Sequence, residues 1–448
     1  MSLFSSLGNG DIWSISGINF ASPVNDILDK ESFTLEELLQ EDDLLQEVKS
    51  KDERLLAFLQ SEETVQKLVE YVVITADEDA EDFRKFKYPY MACELFCCEV
   101  QKILDILVEG GDGKYLKLLF SLLDNEAPLD HYLAGYFEKI LEMLFRRMTI
   151  PVMSYLNNGG VPLLQKFLNH IENYSVMQIV QRVMLPHIPF SMDDVEIMSP
   201  EEKLSYQCNW SFQKETCYLL CSRMLTGESY DIPSHISDLL ITVLQLSPHD
   251  SLFLTHLCEP QCLDDLLKFS FQDYSERTSV TDVPSVESSL SLASISVLES
   301  LISRLCETMN PFENGECEKD SVDDSQRTMM LIGECVDKVS SALIEYVPKF
   351  ATQLKAYCET DVCGTFISQS QISYRRLGHR GLQLVKLVEA IVRLANDNID
   401  SALCTSGALK ACVDLMFKFE LNSLLHLSVQ RIILILIEGG ATEGYVYV

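Results

Sequence analysis

Basic residues are scarce in this chain: 35 Lys and Arg stand against 68 Asp and Glu, a formal net charge of −33 over 448 residues. Self-repulsion and repulsion from phosphates disfavour DNA, RNA and anionic membrane surfaces, so the expected partners are other proteins. Long apolar runs are also missing. LVEYVVITA at 68–76 and IILILI at 432–437 fall far short of the roughly 18 residues that a spanning helix needs, so no membrane insertion is expected. The N-terminal MSLFSSLGNGDIWSISG has no basic residue before Lys30 and no continuous apolar segment, which argues against a secretory signal. With no signal, the 15 cysteines point to free thiols in a reducing compartment, cytoplasmic and also nuclear.

Catalytic motifs are absent too. GDGK at 111–114 lacks the upstream glycine of a phosphate loop, and Tyr115 replaces the hydroxyl that would meet magnesium. GESYD at 227–231 has Asp231 where a nucleophile elbow needs glycine. The cysteine pairs Cys93/Cys97, Cys217/Cys221 and Cys258/Cys262 are four apart, which places each pair on one helical face as small core residues. No paired Cys-x-x-Cys pattern is present, and His256 beside Cys258 and Cys262 lacks a fourth ligand. No metal, cofactor or enzymatic activity is expected.

What is present is helical periodicity. Leu104, Leu107 and Val108 share one face, as do Leu133, Tyr136, Phe137, Ile140, Leu141 and Leu144, and strict alternation is scarce. One design occurs twice. Gly160, VPLLQKFLNHI, the turn ENYS and VMQIVQRVM match in order Gly407, ALKACVDLMFKF, the turn ELNS and LLHLSVQRIILILI. A glycine, a helix, a short turn and a returning helix make an αα-hairpin. Stacked hairpins predict an all-α fold, an irregular α-solenoid of the HEAT/armadillo kind, with a compact bundle as the alternative. Residues 1–22 read as a flexible N-terminus, 23–437 as one helical repeat domain and 438–448 as a short tail. Loops are expected at 186–201, 271–289 and 310–326, where proline, serine and acidic residues gather.

The stretch FTLEELLQEDDLLQE at 33–47 carries a capping box. Thr34 accepts from the Glu37 amide and Glu37 reaches back to the Thr34 amide, with Phe33 and Leu38 as a hydrophobic staple. Leu35, Leu38 and Leu39 define a buried side. Glu41, Asp42 and Asp43 break the stripe, and Asp43 is placed to cap a second helix that starts at Leu44 and continues through Leu45, Val48, Leu55, Leu56 and Leu59. A cap uses one aspartate, and here three acids are consecutive. From Glu31 to Asp82 there are 17 acidic and 4 basic residues. Two readings stand: a solvated face, or an acidic edge that docks a basic partner surface.

Three groups of motifs carry a resemblance. They are FTLEELLQEDDLLQE with LLAFL at 55–59; KYPYMACELF at 87–96 with LAGYFEKILEMLFRR at 133–147; and RRLGHRGLQLVKLVEAI at 375–391 with ALKACVDLMFKFELNSLLHLSVQRIILILI at 408–437. Together they resemble the SAPS-domain proteins, regulatory subunits of protein phosphatase 6, in order and spacing from about residue 20 to 437. Residues 186–330 follow the pattern loosely, and the chain stops at ATEGYVYV where family members continue, so it reads as truncated relative to the family. The resemblance implies a non-enzymatic scaffold that binds a serine/threonine protein phosphatase catalytic subunit and directs its substrate choice, with an ankyrin-repeat protein as a further partner. A helical-repeat adaptor for transport or trafficking is the alternative. Glu41, Asp42 and Asp43 are then one candidate docking edge, and Arg375, Arg376 and His379 a second polar cluster beside a helix start, with capping and solvation as its bland reading. Asn422 is assigned to hold the last turn and His426 to hydrogen-bond within it.

Overall fold

The computed structural model describes residues 22–185, 206, 208–226, 229–246, 252–271, 286–309, 322–369 and 371–443. These residues are almost all helical, and they form two compact units, 1–152 and 153–448, where the sequence suggested one body. The loop expected at 186–201 and residues 1–21 of the N-terminus expected at 1–22 lie outside the described residues.

The first unit opens with four short helices: α1 (Pro23–Leu28), α2 (Leu35–Gln40), α3 (Leu44–Ser50) and α4 (Glu53–Leu59). Thr34 caps α2 by accepting from the Glu37 amide at 3.3 Å. The Glu37 carboxylate, however, takes Lys30 Nζ at 2.5 Å, and Phe33 packs its ring on Phe58 at 4.8 Å. Leu35, Leu38 and Leu39 are buried as the periodicity predicts. The second helix differs from expectation. Lys51 turns left-handed (φ 64°) and ends α3; Asp52 then caps α4 by accepting from the Leu55 amide at 2.9 Å. Asp43 precedes α3 with a helical backbone (φ −82°, ψ −4°) and makes no side-chain cap bond, because capping needs an extended backbone. Leu44, not Leu45, carries the buried stripe.

Next come α5 (Glu62–Val73), a π-helix (Phe83–Lys87), α6 (Tyr88–Cys97), α7 (Gln101–Glu109), α8 (Lys114–Phe120) and α9 (His131–Arg147). Helices α5 and α6 form the centre, with α2, α3, α8 and α9 packed on them. Six fully or nearly fully buried side chains of α5, from Thr64 to Val73, fit its amphipathic spacing.

The second unit contains most of α10 (Thr149–Asn169), then α11 (Tyr174–Met184), α12 (Lys214–Met224), α13 (Asp231–Leu246), α14 (Leu252–Leu257) and α15 (Pro260–Ser270). After these come α16 (Val286–Met309), α17 (Val322–Glu359), strands β1 (Thr365–Ile367) and β2 (Ser373–Arg375), α18 (Gly378–Arg393), α19 (Asp397–Ser406), α20 (Ala408–Lys418) and α21 (Ser423–Glu443). Successive neighbours form two rows: α11, α13, α16, α18 and α21 in one, α12, α15, α17 and α20 in the other. This is the stacked-hairpin arrangement that the sequence predicts. Both repeat glycines take the left-handed backbone that a side chain resists, Gly160 at φ 55° and Gly407 at φ 78°, and each opens a helix that returns after a turn.

Helix α16 corrects two expectations. It starts at Val286, inside the segment read as a loop at 271–289, and its Ser288–Met309 portion is long and apolar enough to cross a membrane. Most of that portion is packed inside the second unit, against α13, α15, α17 and α18, so its apolarity is that of a core helix. Similarly, α17 starts at Val322, inside the loop expected at 310–326, and α21 runs to Glu443, beyond the expected boundary at 437. Cys258 and Cys262 do not share a helix: Cys258 follows α14, and Pro260 starts α15 between them. Both are buried all the same.

Asp400 on α19 is 6% exposed, and its Oδ1 has no hydrogen-bond partner among the described residues. Burial, and then the neighbouring Asp397, push its carboxyl up to about 6. An acid whose folded value lies above its unfolded value is stable when protonated, so the penalty is absent at low pH and develops as pH rises from about 4 to 6. Asp400→Asn is therefore expected to stabilise the protein by about 2 kcal/mol at pH 7 and by little at pH 4, measured by urea denaturation at both pH values. An equal gain at both would show that the carboxylate charge is not the cause.

Candidate partner-binding surfaces

The acidic break lies on the first unit, at the junction of α2 and α3. Glu41 ends α2 with an extended backbone and is half-buried. Asp42 is 92% exposed at its side chain and takes Lys87 Nζ at 2.7 Å. That hydrogen bond, and then the charge behind it, hold the Asp42 carboxyl below its ordinary range. Lys87 also donates to the Gln40 carbonyl, so the last residue of the π-helix is tied to the end of α2. Asp43 is exposed, with no side-chain cap to make. Of the three acids, then, one is engaged by a lysine and its neighbours are set by the chain direction between two short helices.

Beside this break stands a surface that sequence reasoning missed. Phe86 is 55% and Tyr132 64% exposed, and their rings meet edge-on at 6.2 Å. Phe83 and Tyr90 are exposed near them, with Tyr90 6.4 Å from Tyr136. Arg84 lies 4.9 Å from the centre of the Tyr71 ring and donates to the Ile74 carbonyl at 2.9 Å. Exposed aromatic rings with arginine are the composition of binding hot spots, and π-helical turns occur often at functional sites. The signal was in FRKFKYPY, whose rings at 83, 86 and 90 recur at helical spacing.

The second polar cluster belongs to a groove on the second unit, with a volume of about 500 Å³. One wall is β2 with Arg375 and Arg376; the other is the turn between α20 and α21, from Phe419 to Leu424. The groove thus brings Arg375, Arg376 and Asn422 together, while His379 sits on the first turn of α18 outside the lining, exposed. Arg375 meets Asp361 through Nε at 3.2 Å, and Lys418 meets the same carboxylate oxygen at 3.2 Å. Lys418 is otherwise bound to main chain: Nζ donates to the carbonyls of Tyr357, Cys358 and Thr360 at 2.7–3.1 Å. These carbonyls end α17, where a helix dipole favours a cation. The short hairpin of β1 and β2 carries Arg375 and was not foreseen, since two strands of three residues leave too little alternation to read.

Asn422 caps α21 by accepting from the Leu425 amide at 3.1 Å. The His426 ring N–H at Nε2 faces the carbonyls of Met416 and Phe419 at 3.0 and 3.2 Å, at the end of α20. Both side chains therefore close one turn, Asn422 from the donor end of one helix and His426 from the acceptor end of the other.

No family model matches the chain. Among curated proteins it is 27% identical to serine/threonine-protein phosphatase 6 regulatory subunit 2 of Mus musculus over 429 residues, which is 95% of this chain and 43% of the mouse protein. It is 24% identical to regulatory subunit 3-A of Xenopus laevis over 414 residues, 92% of this chain and 45% of the frog protein. Against regulatory subunit 1 of Homo sapiens it is 24% identical over 427 residues, 92% of this chain and 45% of the human protein. Over nearly its whole length the chain is thus similar to the regulatory subunits of phosphatase 6, the family that its sequence motifs resemble. It spans less than half the length of these family members. The matched length of 429 residues exceeds that of either unit, so the likeness runs through both.

Asn422→Ala is expected to cost about 1 kcal/mol by loss of a helix cap. Lys418→Met keeps the aliphatic stem and strands three carbonyls, while Asp361 keeps Arg375, so a larger loss, about 2 kcal/mol, is expected. Urea midpoints of the two variants check the order; equal midpoints to the parent would remove Lys418 and Asn422 as structural anchors.

Proposed function

We propose that this chain is a non-enzymatic regulatory subunit that binds a serine/threonine protein phosphatase catalytic subunit of the phosphatase 6 type and directs its choice of substrate. The observation that carries this reading is the likeness along 95% of the chain to a protein named as a phosphatase 6 regulatory subunit. Hydrolysis belongs to the catalytic subunit, and this chain supplies surface. An ankyrin-repeat protein is the further partner, and the cytoplasm is the place of assembly, with the nucleus as a second.

The docking edge in this reading is Glu41, Asp42 and Asp43. Its support is the way the break is presented: between two short helices, fixed through Lys87, beside exposed Phe86 and Tyr132. An acidic rim next to an aromatic centre steers a basic partner surface and then gives it apolar area to bury. Arg375, Arg376 and His379 face solvent on the second unit and belong to a different contact.

Co-purification from cells tests both levels. The tagged chain should recover a metal-dependent serine/threonine phosphatase, identified by mass spectrometry. A folded Glu41→Lys, Asp42→Lys, Asp43→Lys triple variant should recover roughly tenfold less, the loss expected when charge at an interface is reversed. Undiminished recovery by the variant removes the docking edge. Recovery of no phosphatase by the parent chain removes the regulatory reading.

A further inference from the structure

The β1–β2 hairpin has an open edge that looks into the groove. Phe366 pairs with Tyr374, and Thr365 with Arg375. Arg376 N–H donates to the Gly364 carbonyl at 3.0 Å, and Ser368 N–H to the Ile372 carbonyl at 2.9 Å. In an antiparallel pair such bonded positions alternate, so Tyr374 also bonds to β1, while Ser373 and Arg375 turn their N–H and C=O groups away from it. Among the described residues β2 pairs with β1 alone. Ser373, Tyr374, Arg375 and Arg376 all line the groove. Four successive residues are what a strand edge presents; a strand face presents alternate ones.

The chemistry of the two walls differs. On the strand side, Arg375 meets Asp361 through Nε at 3.2 Å and its side chain is 54% exposed. Arg376 lies 5.8 Å from the centre of the Phe366 ring and has no carboxylate partner among the described residues. On the opposite wall Leu421 and Leu424 are exposed. Glu420 is the single carboxylate of a lining that also holds Arg375, Arg376 and Lys418. In a chain with a net charge of −33, this groove is of the opposite sign to its surroundings.

We propose that the groove binds an extended, carboxylate-rich peptide segment of a partner protein, which adds to the open edge of β2 as a third strand. Main-chain bonds to Ser373 and Arg375 hold it, the two guanidiniums take its carboxylates, and its apolar residues lie on Leu421 and Leu424. An unpaired edge with pockets for alternate side chains is the geometry of strand addition. The acidic remainder of the surface repels such a segment elsewhere, which confines it to this site. This inference stands apart from the phosphatase reading and rests on a different unit from the acidic break.

Fluorescence anisotropy with a fluorescein-labelled peptide of alternating glutamate and valine, titrated with the full chain, tests it. Saturable binding is expected, weakened roughly tenfold or more by the folded Arg375→Glu, Arg376→Glu double variant, a loss typical of reversed interfacial charge. A peptide of alternating lysine and valine should not bind. Ser373→Pro removes one open-edge donor and should weaken binding with both arginines in place. If that variant misfolds, hydrogen exchange on the parent chain replaces it: the Ser373 and Arg375 amides should be protected when peptide is added. Absence of saturable binding, or binding indifferent to the double variant, overturns the proposal. Binding that leaves both the Ser373→Pro affinity and the β2 amide exchange unchanged overturns the strand addition.

Discussion

Helix α16 is apolar on nearly every side, and the second unit exists because that helix has to be covered. A helix with one apolar stripe needs one neighbour; this one needs α13, α15, α17 and α18 around it. The same demand orders the two rows. Leucines and valines of α18 face α16 on one side and α21 on the other, and polar ties fix the angles between them. Arg380 is the clearest of these, with Nε on Ser291 and Nη2 on Gln353 at 3.1 and 3.0 Å. Surface acidity is compatible with this build because most charges lie outside the rows, where water screens them, and the buried Glu389 of α18 is paired with Arg393 and Arg431.

The parts of this fold that could be read in the sequence are local and repeated. Gly160 and Gly407 were legible because each precedes a helix of regular spacing, and a left-handed residue at such a boundary is most easily glycine. Thr34 was legible because its partner is three residues away. The break at Lys51 was not, since a lysine in a left-handed turn has no signature of its own. The membrane-length character of α16 escaped notice because serines interrupt its leucines, and those serines turn out to be buried: Ser291 donates to the Ser270 carbonyl at 3.1 Å. Pro260 was visible between Cys258 and Cys262, and its helix-starting role outweighs the four-residue spacing that suggested one face.

The candidate surfaces divide the same way. The acidic run and the Arg375–Arg376 pair stand out by charge and can be named from composition. The walls of the groove cannot, because they come from positions near 366, 374 and 420 that only the packing of α20 on α17 brings side by side. The aromatic surface is intermediate: its rings follow one another at helical spacing, but exposure is a tertiary property. A ring on a helix looks like core until its neighbours are known.

The first four helices are six or seven residues long, well below the length at which a helix persists alone. Leu38, Leu39 and Leu44 keep them folded by lying against the body of the first unit. Any molecule that grips the segment between them binds a shape that vanishes when that body opens. Its affinity is thereby coupled to the integrity of the whole first unit, and occupancy there would protect distant amides of α5 and α6 as well as the ones it touches.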